Sequence, residues 1–257
     1  RMQFVQDLKL FISNNSIYTV IYMIMRKTHQ GGLSMKKIVS ILLVLALVSA
    51  GLFAFDMSAG GVFDFTGTAN SRKISEDSGY MKEAVNINVI GFKGYFDAQY
   101  AVAEIGMNVL VGKQKETYKN TRFNMDSTDR YDVKATFLNM GIFGKYPFAV
   151  AEKIKVFPML GLDFDIPLSV KRKVGDKYEK VESDDKKEYN RVWLDMGAGA
   201  DFFVTDNFYV RPRAMFGIKL NETKEDKDTK ELAKDYDAKF SKFGYKFNIG
   251  VGVGYKF

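Results

Sequence analysis

Asp163 and Asp165, Asp195 and Asp201, and Arg211 and Arg213 stand an even number of residues apart, within segments whose apolar residues also alternate. In extended chain, even spacing puts side chains on one face. Glu104 and Lys219 fall on the equivalent face of their own segments. Carboxylates gathered on a surface can act as general acid and base. Carboxylates facing Arg and Lys form an ion-pair network instead, and with Arg211, Arg213 and Lys219 on the same kind of face the network is the expectation. Acyl-transfer and hydrolytic sites of the Ser–His kind need a base of suitable pKa to activate the nucleophile. The sole histidine is His29 and there is no cysteine, so from residue 55 onward the chain has neither. We therefore expect no enzyme, no catalytic residues, no cofactor and no metal site. Asp184-Asp185 and Glu225-Asp226 could hold a divalent cation, but solvated loop acids are the simpler reading. The Gly250-x-Gly252-x-Gly254 run precedes no helix and is no nucleotide fingerprint.

The elements that must carry these charges are strands. From Phe243 to Phe257, every odd-numbered residue is apolar or aromatic and every even-numbered one is Gly, Lys or Asn. Fifteen residues is too long for a half-buried strand in water, whereas a strand crossing a bilayer needs about 9–11 residues with aromatic girdles at both interfaces. The same alternation recurs in 55–66, 84–96, 100–113, 134–146, 153–166, 191–204 and 207–220, which makes eight strands. In 84–96 the pattern changes phase. Val85, Ile87 and Val89 read as outward, then Ile90, Phe92 and Phe96, and a one-residue bulge near Val89-Ile90 would reconcile them. Connections alternate between short (around 97–99, 148–152 and 205–206) and long and charged (such as 171–188 and 222–239). Leu232, Tyr236 and Phe240 are four apart, which predicts a short amphipathic helix over one mouth.

This pattern predicts an all-β fold, an eight-stranded antiparallel up-and-down transmembrane β-barrel, preceded by a cleaved signal peptide. Its lumen-facing residues are Trp193, Phe157, Met159, Arg211, Arg213, Lys219, Asp163, Asp195, Asp201 and Glu104, with Val102, Leu110 and Phe203 adding apolar surface. The alternative is a soluble barrel of lipocalin type, apolar within and polar outside. That inversion would bury the Arg, Lys, Asp and Glu side chains unpaired, at several kcal/mol each.

Met35-Lys36-Lys37, an apolar run from Ile38 to Val48, and the small residues Ser49-Ala50-Gly51 have the plan of a secretory signal peptide. Residues 1–34 read as leader ahead of the true start, 35–54 as the signal, cleaved after Ala50 or Ala54, and 55–257 as the barrel. The rival reading of 38–55 is a membrane anchor, since it is uncharged and near the lower length limit for a spanning helix. The whole chain carries a net charge of +7. Six Lys/Arg and a single acid, Asp7, lie in residues 1–54, so only +2 remains from residue 55 onward. Such a balance does not suit a nucleic-acid partner.

The aromatic end Val253-Gly254-Tyr255-Lys256-Phe257, and the aromatic-flanked turns 95–100 and 203–209, resemble those of small bacterial outer-membrane barrels of the OmpW, OmpA membrane-domain and OmpX types. The resemblance implies residence in the outer membrane among its lipids. It also implies recognition of Phe257, Tyr255 and Val253 by the barrel assembly machinery. An OmpW likeness implies passage of small or hydrophobic solutes through a narrow lumen. An OmpA/OmpX likeness implies a structural or adhesin-type protein whose charged loops bind envelope or host partners. A lumen closed by ion pairs would favour the second, and an apolar tube the first.

Overall fold

The computed structural model describes residues 56–76, 79–174, 176–182, 186 and 189–257. The leader (1–34), the signal peptide (35–54) and the rival anchor (38–55) lie outside the described residues. The elements in chain order are β1 (Met57–Glu76), β2 (Gly79–Ala98), β3 (Ala101–Asn120), β4 (Met125–Tyr131), β5 (Val133–Lys145), β6 (Phe148–Ala151), β7 (Ile154–Val174), β8 (Lys177–Lys180), β9 (Arg191–Phe203), β10 (Phe208–Lys219), α1 (Lys224–Asp235) and β11 (Lys239–Lys256). Eight strands close a ring in the order β2-β1-β11-β10-β9-β7-β5-β3, with β3 returning to β2. Every pairing is antiparallel, and β11 joins β1 from Ser58↔Lys256 to Ser75↔Lys239. A closed ring leaves no strand edge unpaired, the condition for backbone in hydrocarbon. The remaining strands extend hairpins. β4 continues β5 upstream of Asp132 and pairs with β3, while β6 and β8 pair with the two ends of β7. Between β5 and β6 lies Pro147, which has no N–H to give a ladder.

Several strands are longer than the sequence pattern suggests. β1, β2 and β3 have 20 residues each and β7 has 21. At about 3.3 Å per residue and a tilt near 40°, such a strand rises roughly 50 Å, about twice the apolar band of a barrel. The outer halves of these hairpins therefore stand in water. Segments read as long loops, 67–76 and 79–83 among them, are paired strands there, carrying charge on both faces because neither face is in lipid.

The alternation along β2 corrects the expected bulge. Ile87, Val89, Gly91, Lys93, Tyr95 and Asp97 are all buried in unbroken phase, while Asn88, Phe92, Gly94 and Phe96 are exposed. Val85, Ile87 and Val89 thus face inward, not outward. The irregularity is in β3: Asn86 pairs with Lys115 but Asn88 with Val111, so β3 carries the surplus residues. Gly112 accommodates them at φ +79°, a left-handed conformation that glycine adopts without steric penalty.

The expected helix exists, but its docking face is different. Leu232 and Tyr236 are exposed and Phe240 belongs to β11, whereas Asp226 and Ala233, one heptad apart, are buried. Thr223 caps the helix: its hydroxyl accepts from the Asp226 N–H while the Asp226 carboxylate accepts from the Thr223 N–H, the two halves of a capping box.

The outer surface of the wall carries an apolar belt. On β11 alone Phe243, Tyr245, Phe247, Ile249, Val251, Val253 and Tyr255 are exposed, and Phe63, Phe65, Phe92, Ile105, Met107, Leu160, Met196 and Phe216 continue the belt around the ring. An Arg at the bilayer midplane of a barrel costs about 2–4 kcal/mol. Val251→Arg, at mid-belt, should lower unfolding free energy in vesicles by that amount in a denaturant titration. Lys82→Arg, on the part of β2 outside lipid, should leave it unchanged.

Candidate functional site

The lumen is filled by side chains from all eight ring strands. Nearest the short-turn end, Tyr95 Oη donates to Tyr209 Oη at 3.1 Å, and Tyr209 Oη lies 2.8 Å from Ser58 Oγ. Above them Arg211 on β10 binds Asp201 on β9 through Nε at 2.5 Å and Nη2 at 2.8 Å, and Asp97 on β2 through Nη2 at 2.5 Å. Lys145 on β5 donates to the same Asp97 at 2.5 Å. The Arg211 guanidinium is also packed 4.9–5.0 Å from the ring centres of Tyr95, Phe157 and Tyr209. Val62, Val102, Phe143, Phe157, Met159 and Met215 complete this inner apolar cluster.

The middle layer is ionic. Arg213 donates to Glu104 and, at 3.3 Å, to Asp64, which also holds Lys93 at 3.0 Å. Lys246 binds Asp163 and, at 2.9 Å, Asp195. Asn139 donates to Asp163 at 2.8 Å and to Asp165 at 2.9 Å, while Asn108 and the indole of Trp193 each reach Asp165 at 3.0 Å. Gly217 belongs here for want of a side chain, since a Cβ would stand 2.8 Å from Lys246 Cε. β10 and β3 lie opposite each other in the ring, so the Arg213–Glu104 pair spans the lumen from wall to wall. Trp193 and Asp64 are both 0% exposed, so water has no access to either side chain of this layer.

Outward of this layer lies a second apolar cluster of Ile87, Val89, Leu110, Val133, Ala135, Phe137 and Val170. Beyond it a vestibule of about 1010 Å³ opens among the hairpins, lined by Arg72, Glu83, Val85, Gln114, Glu116, Arg172, Arg191, Lys219, Asp226 and Lys242, among others. Helix α1 reaches into it. Asp226, 2% exposed, lies 2.8 Å from Arg72 Nε, 3.5 Å from Lys242 Nζ and 4.0 Å from Lys219 Nζ. Burial raises its pKa, but the Thr223 N–H and the charges of Lys219, Arg72 and Lys242 outweigh that and hold it below the ordinary carboxylate value.

Arg211, Arg213, Asp163, Asp195, Asp201, Glu104, Trp193, Phe157 and Met159 all lie buried in the lumen. Lys219 does not join Asp163, Asp195 or Asp201. It sits at the outer end of β10 in the vestibule, paired with Asp226. Asp226 itself faces three cations, an arrangement opposite to a divalent-cation site, and Asp184 and Asp185 lie outside the described residues. Val253, Tyr255 and Phe257 form an outward row at the end of β11. Sequence reasoning missed Asp64, Lys93, Asp97 and Lys145 as members of the network, and Arg72 and Asp226 at the mouth. Parity along the strands signals all but the last two.

Charges gathered inside and apolar side chains outside are the reverse of a soluble barrel. This is a membrane-spanning barrel.

No family model matches the sequence, and no curated protein does. Among solved structures, the chain is similar to the outer membrane protease OmpT from Escherichia coli, with 10% identity over 80% of this chain and 99% of that one at a TM-score of 0.44. It is similar to the outer membrane protein OprG from Pseudomonas aeruginosa, with 11% identity over 79% and 96% and a TM-score of 0.42. It is similar also to Neisserial surface protein A, with 14% identity over 76% and 97% and a TM-score of 0.36. Likenesses this distant transfer no residue's role.

Removing one partner of a buried ion pair costs about 3–5 kcal/mol. Arg211→Met, which leaves Asp97 and Asp201 to share Lys145, should lower unfolding free energy by up to that amount in urea titration of the vesicle-embedded protein. The depressed pKa of Asp226 gives helix docking an acid limit. Its contribution is fully present above the ordinary carboxylate value of 3.8 and is lost as pH falls through the lower, folded-state value. Hydrogen exchange of residues 224–235 should be slow at neutral pH and accelerate selectively below pH 3.8.

Proposed function

We propose that this chain is a bacterial outer-membrane barrel that acts through its water-exposed outer face, with a lumen closed by structural ion pairs. The observation that carries the reading is the wall-to-wall pair of Arg213 on β10 and Glu104 on β3, both buried. It stands in a layer where Asp64, Lys93, Asp163, Asp195 and Lys246 are also paired and buried. An eight-stranded ring is only just wide enough for its own side chains, and here those side chains hold one another. Passage of small or hydrophobic solutes, the competing reading, finds support in the two apolar clusters. Those clusters do not meet: a solute leaving one would have to part the ionic layer and desolvate it. The length of the outer hairpins and the vestibule between them support surface binding instead, to envelope or host partners. The outward row Val253, Tyr255 and Phe257 supports delivery through the barrel assembly machinery, and the apolar belt supports contact with outer-membrane lipid.

Planar-bilayer recording tests the reading. The protein should add no stepwise current to that of bare lipid, and Glu104→Ala with Asp64→Ala should create it by freeing Arg213. Steady conductance from the unaltered protein would overturn the plug.

A further inference from the structure

The vestibule is built unevenly. Arg72, Lys242, Lys219 and Arg191 come from β1, β11, β10 and β9, which stand side by side in that order around the ring. Lys219 lies in the repulsive field of the other three, with Asp226 the attractive charge. Wall carboxylates also line the vestibule: Glu83 on β2, the cross-strand partner of Arg72, lies 3.6 Å from it, and Glu116 on β3 lies 3.3 Å from Arg172. Glu222 adds a weaker contact to Lys242 at 3.8 Å.

The carboxylate that meets this cluster most closely, and the one buried against it, is not part of the barrel wall. It is brought by α1, a helix on the connection between β10 and β11, and Asp226 is inserted until almost no surface remains exposed. Clustered cations cost free energy unless an anion is near, and here the nearest anion is carried by an element that belongs to no ladder. The cavity around it, about 1010 Å³, has room for a polyanion far larger than one carboxylate.

We propose that the vestibule is a binding site for a phosphorylated or sulfated polyanion, and that Asp226 is a built-in competitor occupying the anion subsite made by Arg72, Lys219 and Lys242. Ligand and helix side chain then exclude each other, so binding displaces Asp226 and undocks α1. This deepens the surface-binding reading and rests on it. Lys and Arg are the donors that recognise phosphate, Arg bidentately and Lys as a point charge. The source of the anion is either solution or a phosphate-bearing lipid head group.

The test uses the full chain in phosphatidylcholine nanodiscs, titrated calorimetrically with tripolyphosphate. Asp226→Asn is the informative variant. It removes the competing charge yet keeps a side-chain oxygen able to accept from the Thr223 N–H, so the cap survives. It should bind about tenfold more tightly than the unaltered protein, where tenfold is about 1.4 kcal/mol. Asp228→Asn makes the same change in net charge from an exposed position in the same vestibule. It should alter affinity by less than about twofold. Arg72→Gln with Lys242→Gln, verified as folded by heat-modifiable migration, should lose binding. Equal affinity of Asp226→Asn and the unaltered protein overturns the proposal. So does an equal gain in Asp228→Asn, retention of binding by the double variant, or no binding by any form. Adding phosphatidic acid to the nanodisc separates the sources: loss of the tripolyphosphate signal assigns the site to head groups, and its persistence assigns it to soluble anions. Bilayer current on the same preparation keeps the two readings apart. A conducting barrel with the Asp226→Asn gain overturns the plug alone, and a silent barrel without that gain overturns the anion site alone.

Discussion

Hydrocarbon outside the wall forces every charge in the membrane-spanning part of the chain inward, and the narrowness of eight strands then forces those charges together. The rest of the structure follows from that compression. Arg211, Arg213 and Lys246 each bridge two carboxylates that come from different strands. Pairing of this kind offsets desolvation and adds little net stability. Its larger effect is on register. Sliding one strand by a single residue would move its ions onto the lipid face and its aromatics into the lumen. Each Arg or Lys so misplaced near mid-bilayer would cost about 2–4 kcal/mol, which makes the ionic layer a device that specifies one pairing for the whole ring.

The architecture was legible because the period-two pattern is long and clean where one face meets lipid. β9, β10 and, from Phe243 onward, β11 follow it. Reading failed where that contrast disappears. On β2 the inward residues Val85, Ile87 and Val89 are apolar because they line the outer cluster, and the outward Asn86 and Asn88 are polar because they near the water. The pattern inverts there without the strand changing phase. Beyond the belt both faces of a hairpin are wet, so 67–76 and 79–83 carry no alternation and looked like loop although they pair with each other.

The site was legible by half. Residues within belt strands could be assigned a face from parity, which is why Arg211, Arg213 and Asp201 could be grouped. Which acid meets which base depends on ring order and stagger, and neither is written in any one strand. Asp97, at a strand end beside a turn, gave no sign that it would receive both Arg211 and Lys145. Asp226 was hidden for a different reason. The helix pattern drew attention to Leu232 and Tyr236, while the docked face is chosen by the basic lining of the mouth, a surface assembled from strands far apart in sequence.

The reach of Arg213 across to Glu104 has a mechanical meaning. A thin cylinder of strands under the lateral pressure of a bilayer flattens easily, because bending between neighbouring strands is soft. Spokes crossing the bore resist that flattening, and Arg211 to Asp97 and Lys246 to Asp163 set further spokes at other angles. Roundness in this barrel is thus maintained from the hub rather than the rim, so the outer hairpins stand on a footing whose shape is indifferent to membrane tension.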